Sequence, residues 1–289
     1  MACDGAAYPR GNSVYRPQRP GYGDAHMAEN EEPDADFPPM LTRLTFHGPL
    51  SEGRAVRLTE RLTRTTPRTV LDIGCGWGEL MLRILGAVPE ATGLGLDTDE
   101  GDLARGREAA KVRGLGDRVT FVRESGVGTT RGPADLVLCV GASHALSEAQ
   151  PPEHTPAALQ VLRRLVTPGG RVLLGEGFWQ RPPADAELAA MWPGASAGEY
   201  PDLARVVDLA IEAGFRPAWI EAANSEEWDE FESGYQADEE EWLAAHPGHP
   251  KAAQLRAQVD QHRSHWLRGY RGILGMAYLT LIPVEGRPL

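Results

Sequence analysis

Thr69-Val70-Leu71-Asp72-Ile73-Gly74 runs without a break into Cys75-Gly76-Trp77-Gly78, and Leu80, Met81, Ile84 and Leu85 follow at helical spacing. The apolar run reads as a strand buried on both faces, and the stripe after the glycines reads as a helix packed upon it. Glycines at such a turn let a ligand approach the backbone, and the helix N-terminus adds N–H donors. A dinucleotide fingerprint counted from Gly74 needs glycine or alanine at position 79, where Glu79 would set a carboxylate against a pyrophosphate. No Gly-Lys-Ser/Thr follows, so a phosphate-binding P-loop is absent as well.

Outward from this loop, buried runs alternate with helical stretches. TGLGLD (92–97), VTFVRE (119–124), DLVLCVG (135–141) and RVLLGEG (171–177) read as further parallel strands. Between them, Thr155 is expected to cap a helix that Pro156 opens and Pro168-Gly169-Gly170 stops, and Pro201 is expected to open another that Gly214 closes. Repeated alternation of this kind means a doubly wound α/β sheet. FRPAWIEA (215–222) and MAYLTLI (276–282) read as a sixth and a seventh strand, but about fifty residues separate them where a hairpin needs only a few. Residues 223–272 are therefore an insertion, expected to act as a lid over a substrate site. Its acidic half, Glu221 to Glu241, has ten acids and no Lys or Arg, with Trp228, Phe231, Tyr235 and Trp242 interleaved; this reads as a solvated face with aromatics docked inward. Lys251 to Arg271 reads as one helix. Residues 1–37, rich in Pro and Gly and nearly free of aliphatics, read as a flexible N-terminal arm ahead of one domain over 38–289.

The chain has 289 residues and a formal net charge of −12. That charge repels phosphate backbones, which argues against nucleic acid and for small molecules as partners. No apolar run reaches the length of a membrane span or a signal peptide, so a cytoplasmic protein without a membrane partner is expected. Cys3, Cys75 and Cys139 are odd in number and far apart, which fits neither disulfides nor a zinc site. His246, His249, His262 and His265 form two His-x-x-His pairs without a placed partner ligand; they read as solvated, with no metal expected.

The ordered set of motifs resembles the class I S-adenosylmethionine-dependent methyltransferases over roughly residues 40–222 and the last strand. Asp72, Gly74, Cys75, Gly76 and Gly78 resemble the family's first motif, which wraps the methionine end of the cofactor. Asp97, followed by Thr98, stands where the family places an acid on the ribose hydroxyls. GLGDRVTFVRES resembles the run into the third strand, where an Asp usually meets the adenine amino group; Glu124 and Ser125 stand there instead. DLVLCVGASHALS resembles the fourth motif, placing Cys139 and Gly141 beside the cofactor, and LVTPGGRVLLGEGFW resembles the Pro-Gly-Gly run into the fifth strand. The resemblance implies a seven-stranded Rossmann-like sheet with its last strand antiparallel, S-adenosylmethionine as cofactor, and a small-molecule acceptor methylated at N, O or C, as in ubiquinone and natural-product methylation. Homo-oligomerisation is compatible with it. His144 after the fourth strand is the candidate base, and Glu176 after the fifth is the candidate for orienting the acceptor. Trp77, Phe178, Trp179 and Trp192 either wall the substrate or pack locally. Two rivals stay open: a protein or RNA methyltransferase, against which VGAS stands in place of an [ND]PP[YF] motif, and a regulatory protein that binds the cofactor without turnover.

Overall fold

The computed structural model describes residues 40–284, so the expected arm over 1–37 lies outside the described residues. Seven strands form one sheet among them: β1 Thr69–Ile73, β2 Thr92–Asp97, β3 Val119–Arg123, β4 Ala134–Val140, β5 Val166–Trp179, β6 Phe215–Ala222 and β7 Leu274–Pro283. Their order is β3-β2-β1-β4-β5-β7-β6. The first five run parallel, and β7 lies antiparallel between β5 and β6, pairing Trp179 with Leu274 and Ala222 with Ala277.

The two faces of the sheet follow from residue parity along each strand. Val70, Leu136, Leu138 and Leu173 face α1 (Glu52–Thr63), α2 (Glu79–Ala87) and α3 (Glu100–Val112). Leu71, Ile73, Val137, Cys139 and Leu174 face α4 (His154–Leu165) and α6 (Leu203–Glu212). A short α5 (Asp185–Ala190) follows β5. The insertion forms α7 (Ser225–Ala245), α8 (Ala252–Ser264) and a π-helical turn over His265–Tyr270, and its Trp228, Trp266 and Tyr270 join the α1–α3 core. No helix of the described residues is long and apolar enough to cross a membrane.

Several local expectations are corrected. Thr155 does not cap α4: the helix starts one residue earlier, Glu153 stands at its cap without a side-chain bond, and Thr155 is buried with its hydroxyl toward Glu176. That helix ends at Leu165, before the Pro-Gly-Gly run, which belongs to a longer β5. Asp202, not Pro201, opens α6, its carboxylate accepting from the Arg205 N–H. Lys251 to Arg271 is not one helix but α8 followed by the π-turn. The acids of α7 are not all solvated either, because Glu227, Glu232, Asp238 and Glu239 are buried. His262 is likewise buried, its Nε2 lying 2.8 Å from Glu232 Oε2.

Candidate active site at the C-terminal edge of the sheet

Parallel strands deliver their loops to one edge, and the site is built there. The turn after β1 is crowded on two sides. Gly74 and Gly78 have φ of +62° and +65°; a Cβ on Gly74 would collide with Ala142 after β4, and one on Gly78 would sit 2.7 Å from the Phe121 ring of β3. The Cys75 N–H donates to Leu96 O at 3.0 Å, and its thiol, pushed up by burial and then by Asp72 and Asp97, stays protonated.

Asp97 fixes this turn in space. Its Oδ2 accepts from the Gly76 N–H at 2.8 Å and its Oδ1 from the Asp99 N–H at 2.9 Å, joining the loops after β1 and β2. Each oxygen keeps a further lone pair for a ligand. Beside it, Asp72 is 6% exposed and no ion pair or hydrogen bond holds its carboxyl among the described residues. Burial first and the Asp97 charge second push that carboxyl up to about 8. Two carboxyls in a glycine cradle with no protein cation between them suit a ligand that brings its own positive charge, as the ammonium and sulfonium of S-adenosylmethionine do.

Around the rim, Thr98 is exposed, and its carbonyl accepts from Arg123 Nε at 3.2 Å. Glu124 is engaged by Arg131 Nη2 at 2.5 Å, whose hydrogen bond holds its carboxyl below the ordinary value, while Ser125 is exposed with its Oγ accepting from the Val127 N–H. Gly141 has φ of +68° and its N–H donates to Gly175 O, whereas the Cys139 thiol is wholly buried on the α4 face.

On that α4 face lies a polar cluster around Glu176, which is 1% exposed. Its Oε1 accepts from Ser143 Oγ at 3.1 Å and from Thr155 Oγ1 at 3.4 Å, with His154 Nε2 3.6 Å away; its Oε2 is buried without a partner. Ser143 begins the short 3₁₀ turn Ser143–Leu146 that carries His144. Burial pushes the half-buried His144 imidazole below its ordinary pKa; the Glu176 charge opposes this and His154 reinforces it. A neutral imidazole is the form that accepts a proton. Tyr200 packs its ring on β5, where a Cβ on Gly177 would lie 2.7 Å from it, and meets Trp179 edge-on at 5.0 Å.

The site is also roofed. Trp77 is 3% exposed, its Nε1–H donates to Thr45 O at 2.8 Å, and it stacks on His47 at 5.0 Å. Leu41 and Leu44 pack with Trp77, Phe231 and Tyr235, so α7 reaches the glycine loop through the segment 41–47. Asp238 clasps that segment by accepting from the Thr42 N–H at 2.7 Å and from Thr42 Oγ1 at 2.6 Å. Sequence reasoning placed Ser143 only within the turn after β4, and missed His154 and Tyr200 beside Glu176 and His47 above the loop. The only signal for His154 was its place next to Thr155.

Residues 71–172 match a family model described as a methyltransferase domain. The uncharacterized protein YjhP of Escherichia coli (strain K12) is 28% identical over 82% of this chain and 93% of its own; its crystal structure superposes with a TM-score of 0.71. The S-adenosylmethionine-dependent methyltransferase of Geobacter sulfurreducens, crystallised with S-adenosyl-L-homocysteine, shares 25% identity over 82% of this chain and 93% of its own, with a TM-score of 0.72. The [4+2]-cyclase SpnF, at 23% identity, 81% of this chain, 82% of its own and a TM-score of 0.58, shares the fold. Fold, glycine loop and relatives agree on the class: residues 71–172 carry a methyltransferase domain, on the fold of the class I S-adenosylmethionine-dependent methyltransferases. The chain is a methyltransferase whose cofactor is S-adenosylmethionine.

Proposed function

We propose that this enzyme works in the cytoplasm and methylates a small organic acceptor at N, O or C in secondary metabolism, taking neither nucleic acid nor membrane as partner. The observation that carries the reading is the roof. Helix α7 and residues 41–47 are packed into the core and onto the glycine loop, so the edge of the sheet is covered rather than open to a duplex or a folded protein. The net charge of −12 adds to this by repelling polyanions.

In this reading Gly74, Cys75, Gly76 and Gly78 hold the methionine end of the cofactor, with Asp72 facing its positive charge, and Asp97 and Thr98 take the ribose. Ser125 flanks the adenine end, and the backbone at Gly141, next to the Ala142 that abuts Gly74, lies beside the cofactor. Glu124 contributes through its pair with Arg131, and Cys139 by packing under the loop. When bound, S-adenosylmethionine supplies a methyl group already activated on sulfur. The protein's part is alignment, exclusion of water and, for an acceptor that still carries its proton, a base. His144 takes that proton at its imidazole. Glu176 is a positioning residue: it holds the Ser143 turn through a hydroxyl and places a negative charge behind the imidazolium. The insertion 223–272 acts as the lid.

The test is transfer from S-adenosylmethionine labelled in its methyl group to fractionated extract, with small metabolites, RNA and protein separated afterwards. Label in the small-molecule fraction is expected. Label confined to RNA or protein overturns the reading.

A further inference from the structure

The roof sets one imidazole over the middle glycine of the loop. A Cβ on Gly76 would lie 3.5 Å from His47 Nδ1 and 3.8 Å from Asp102 Oδ2, so both side chains stand at contact distance from the turn that Asp97 pins. The ring is held in position. It lies flat on Trp77, centroids 5.0 Å apart and planes within 10°, and Trp77 is itself anchored to the roof by its bond to Thr45 O. The segment that carries it is tied down as well: Arg105 donates from Nη1 to Leu41 O at 2.9 Å and from Nη2 to Leu44 O at 2.7 Å, while Asp238 holds Thr42. A ligand that meets His47 therefore has little ordering left to impose.

The charges around the turn are one-sided. Asp72, Asp97 and Asp102 border it, which suits the ammonium and sulfonium of the cofactor but not its carboxylate. The guanidinium groups of this edge are committed elsewhere: Arg105 to the roof carbonyls, with its Cζ 3.8 Å from the Trp77 ring centroid, Arg123 to Thr98 O, and Arg131 to Glu124. That leaves His47 over the loop as a group that can meet a carboxylate with a positive charge, and its side chain, 31% exposed, is reachable from solvent. Asp102 Oδ2 lies 3.8 Å from its Nδ1. A protonated imidazole donates through both nitrogens, so it can face Asp102 with Nδ1 and a second carboxylate with Nε2.

We propose that His47 binds the carboxylate of the cofactor's methionine end, donating from its imidazole while Asp102 orients the ring. The inference rests on the placement of that end at the glycine loop. It gives the roof a second task, since the segment 41–47 then completes the cofactor site as well as covering it.

The experiment measures by calorimetry how the full-length wild type and His47→Phe bind S-adenosylhomocysteine and its decarboxylated analogue, which keeps the amine and lacks the carboxylate. Phenylalanine leaves a flat ring on Trp77 and removes the donor. The wild type is expected to prefer S-adenosylhomocysteine, and in His47→Phe that preference is expected to shrink about tenfold or more, the loss of one hydrogen bond to a charged group, with the analogue bound as before. A preference as large in the folded Phe variant as in the wild type overturns the inference and leaves the cofactor reading standing. A wild type that binds neither ligand overturns that reading, and the inference with it. Imidazole ¹⁵N spectra of the wild type decide the question without reliance on the Phe variant's folding. S-adenosylhomocysteine is expected to shift one histidine signal that the analogue leaves in place, and His47→Gln identifies that signal by its absence; identical shifts from the two ligands overturn the inference.

Discussion

Asp72, proposed above to face the positive end of the cofactor, is expected to make cofactor binding a proton-releasing reaction. Its carboxyl is pushed up to about 8 by burial and then by Asp97, so at pH 7 about nine-tenths of the molecules carry a proton there. The groups that face it are Asp97 and Cys75, and neither supplies a positive charge. An ammonium arriving beside Asp72 favours its ionised form, and the proton leaves. Binding of S-adenosylhomocysteine is therefore expected to release about 0.9 proton at pH 7, about half at pH 8 and about a tenth at pH 9. The same linkage tightens apparent affinity roughly tenfold between pH 7 and 9. Calorimetry in buffers of different ionisation enthalpy counts these protons, and Asp72→Asn subtracts whatever the ligand's own amine contributes. The sign carries over to stability. A carboxyl whose folded pKa lies above its unfolded value of 3.8 binds its proton more tightly when folded, so the apo protein loses stability as pH rises from about 4 through 8. Thermal melts of Asp72→Asn are expected to lack that decline. A wild-type proton count near zero across pH 6.5–9, or an equal count in Asp72→Asn, refutes the placement of the cofactor's positive end at Asp72.

Asp97→Ala is expected to lower S-adenosylhomocysteine affinity tenfold to over a hundredfold by calorimetry, and also to speed hydrogen exchange at the Gly76 and Asp99 amides, which lose their acceptor. Glu227→Ala leaves the buried Arg54 guanidinium only the longer Glu221 pair and the Ala222 carbonyl, and is expected to destabilise the fold by about 3 kcal/mol in urea titration. Burial pushes the Glu227 carboxyl up, but its bonds from Arg54 and Ser51 prevail and hold it at about 2, so its contribution is present above about pH 4.5 and is lost as pH falls towards 2. His144→Gln is expected to lower kcat by about 10²–10⁴ and to erase an acid limb of the rate profile lying below pH 6.5; an unchanged profile removes His144 as the base.

The parts of this molecule that were legible in the sequence are those whose causes are local. Short runs of strand-forming residues bounded by turn residues are a local signal, which is why β2 and β6 begin and end where their residues alone place them, and why the glycine turn is visible at once. Thr155 misled for a local reason as well: threonine favours a helix cap, but here a buried carboxylate 21 residues on, Glu176, competes for its hydroxyl. The role of Glu176 was half legible. Its place after a strand puts it at the right edge, but only the parity of β5 shows that it lies with Val172 and Leu174 on the α4 face, behind the His144 turn.

Helix α7 fails sequence reading for the opposite reason, since its partners lie far away along the chain. A run of acids without a lysine or arginine reads as solvated, yet Glu227 finds Arg54 at a separation of 173 residues and Asp238 finds Thr42 at 196. These partners explain why acids stand where apolar residues would also bury. Glu227 Oε1 receives Ser51 Oγ, the Ser51 N–H and Arg54 Nε, while Oε2 receives Arg54 Nη2 and the Asn224 N–H. An apolar pair of similar volume would hold the two helices about as strongly, but it would accept small shifts of one along the other. Five donors converging on one carboxylate permit a single seat. Because the same helix carries Phe231 and Tyr235 onto the segment over Trp77, that seat sets where the roof meets the glycine loop, and the buried acids of the insertion belong to the geometry of the site rather than to its surface.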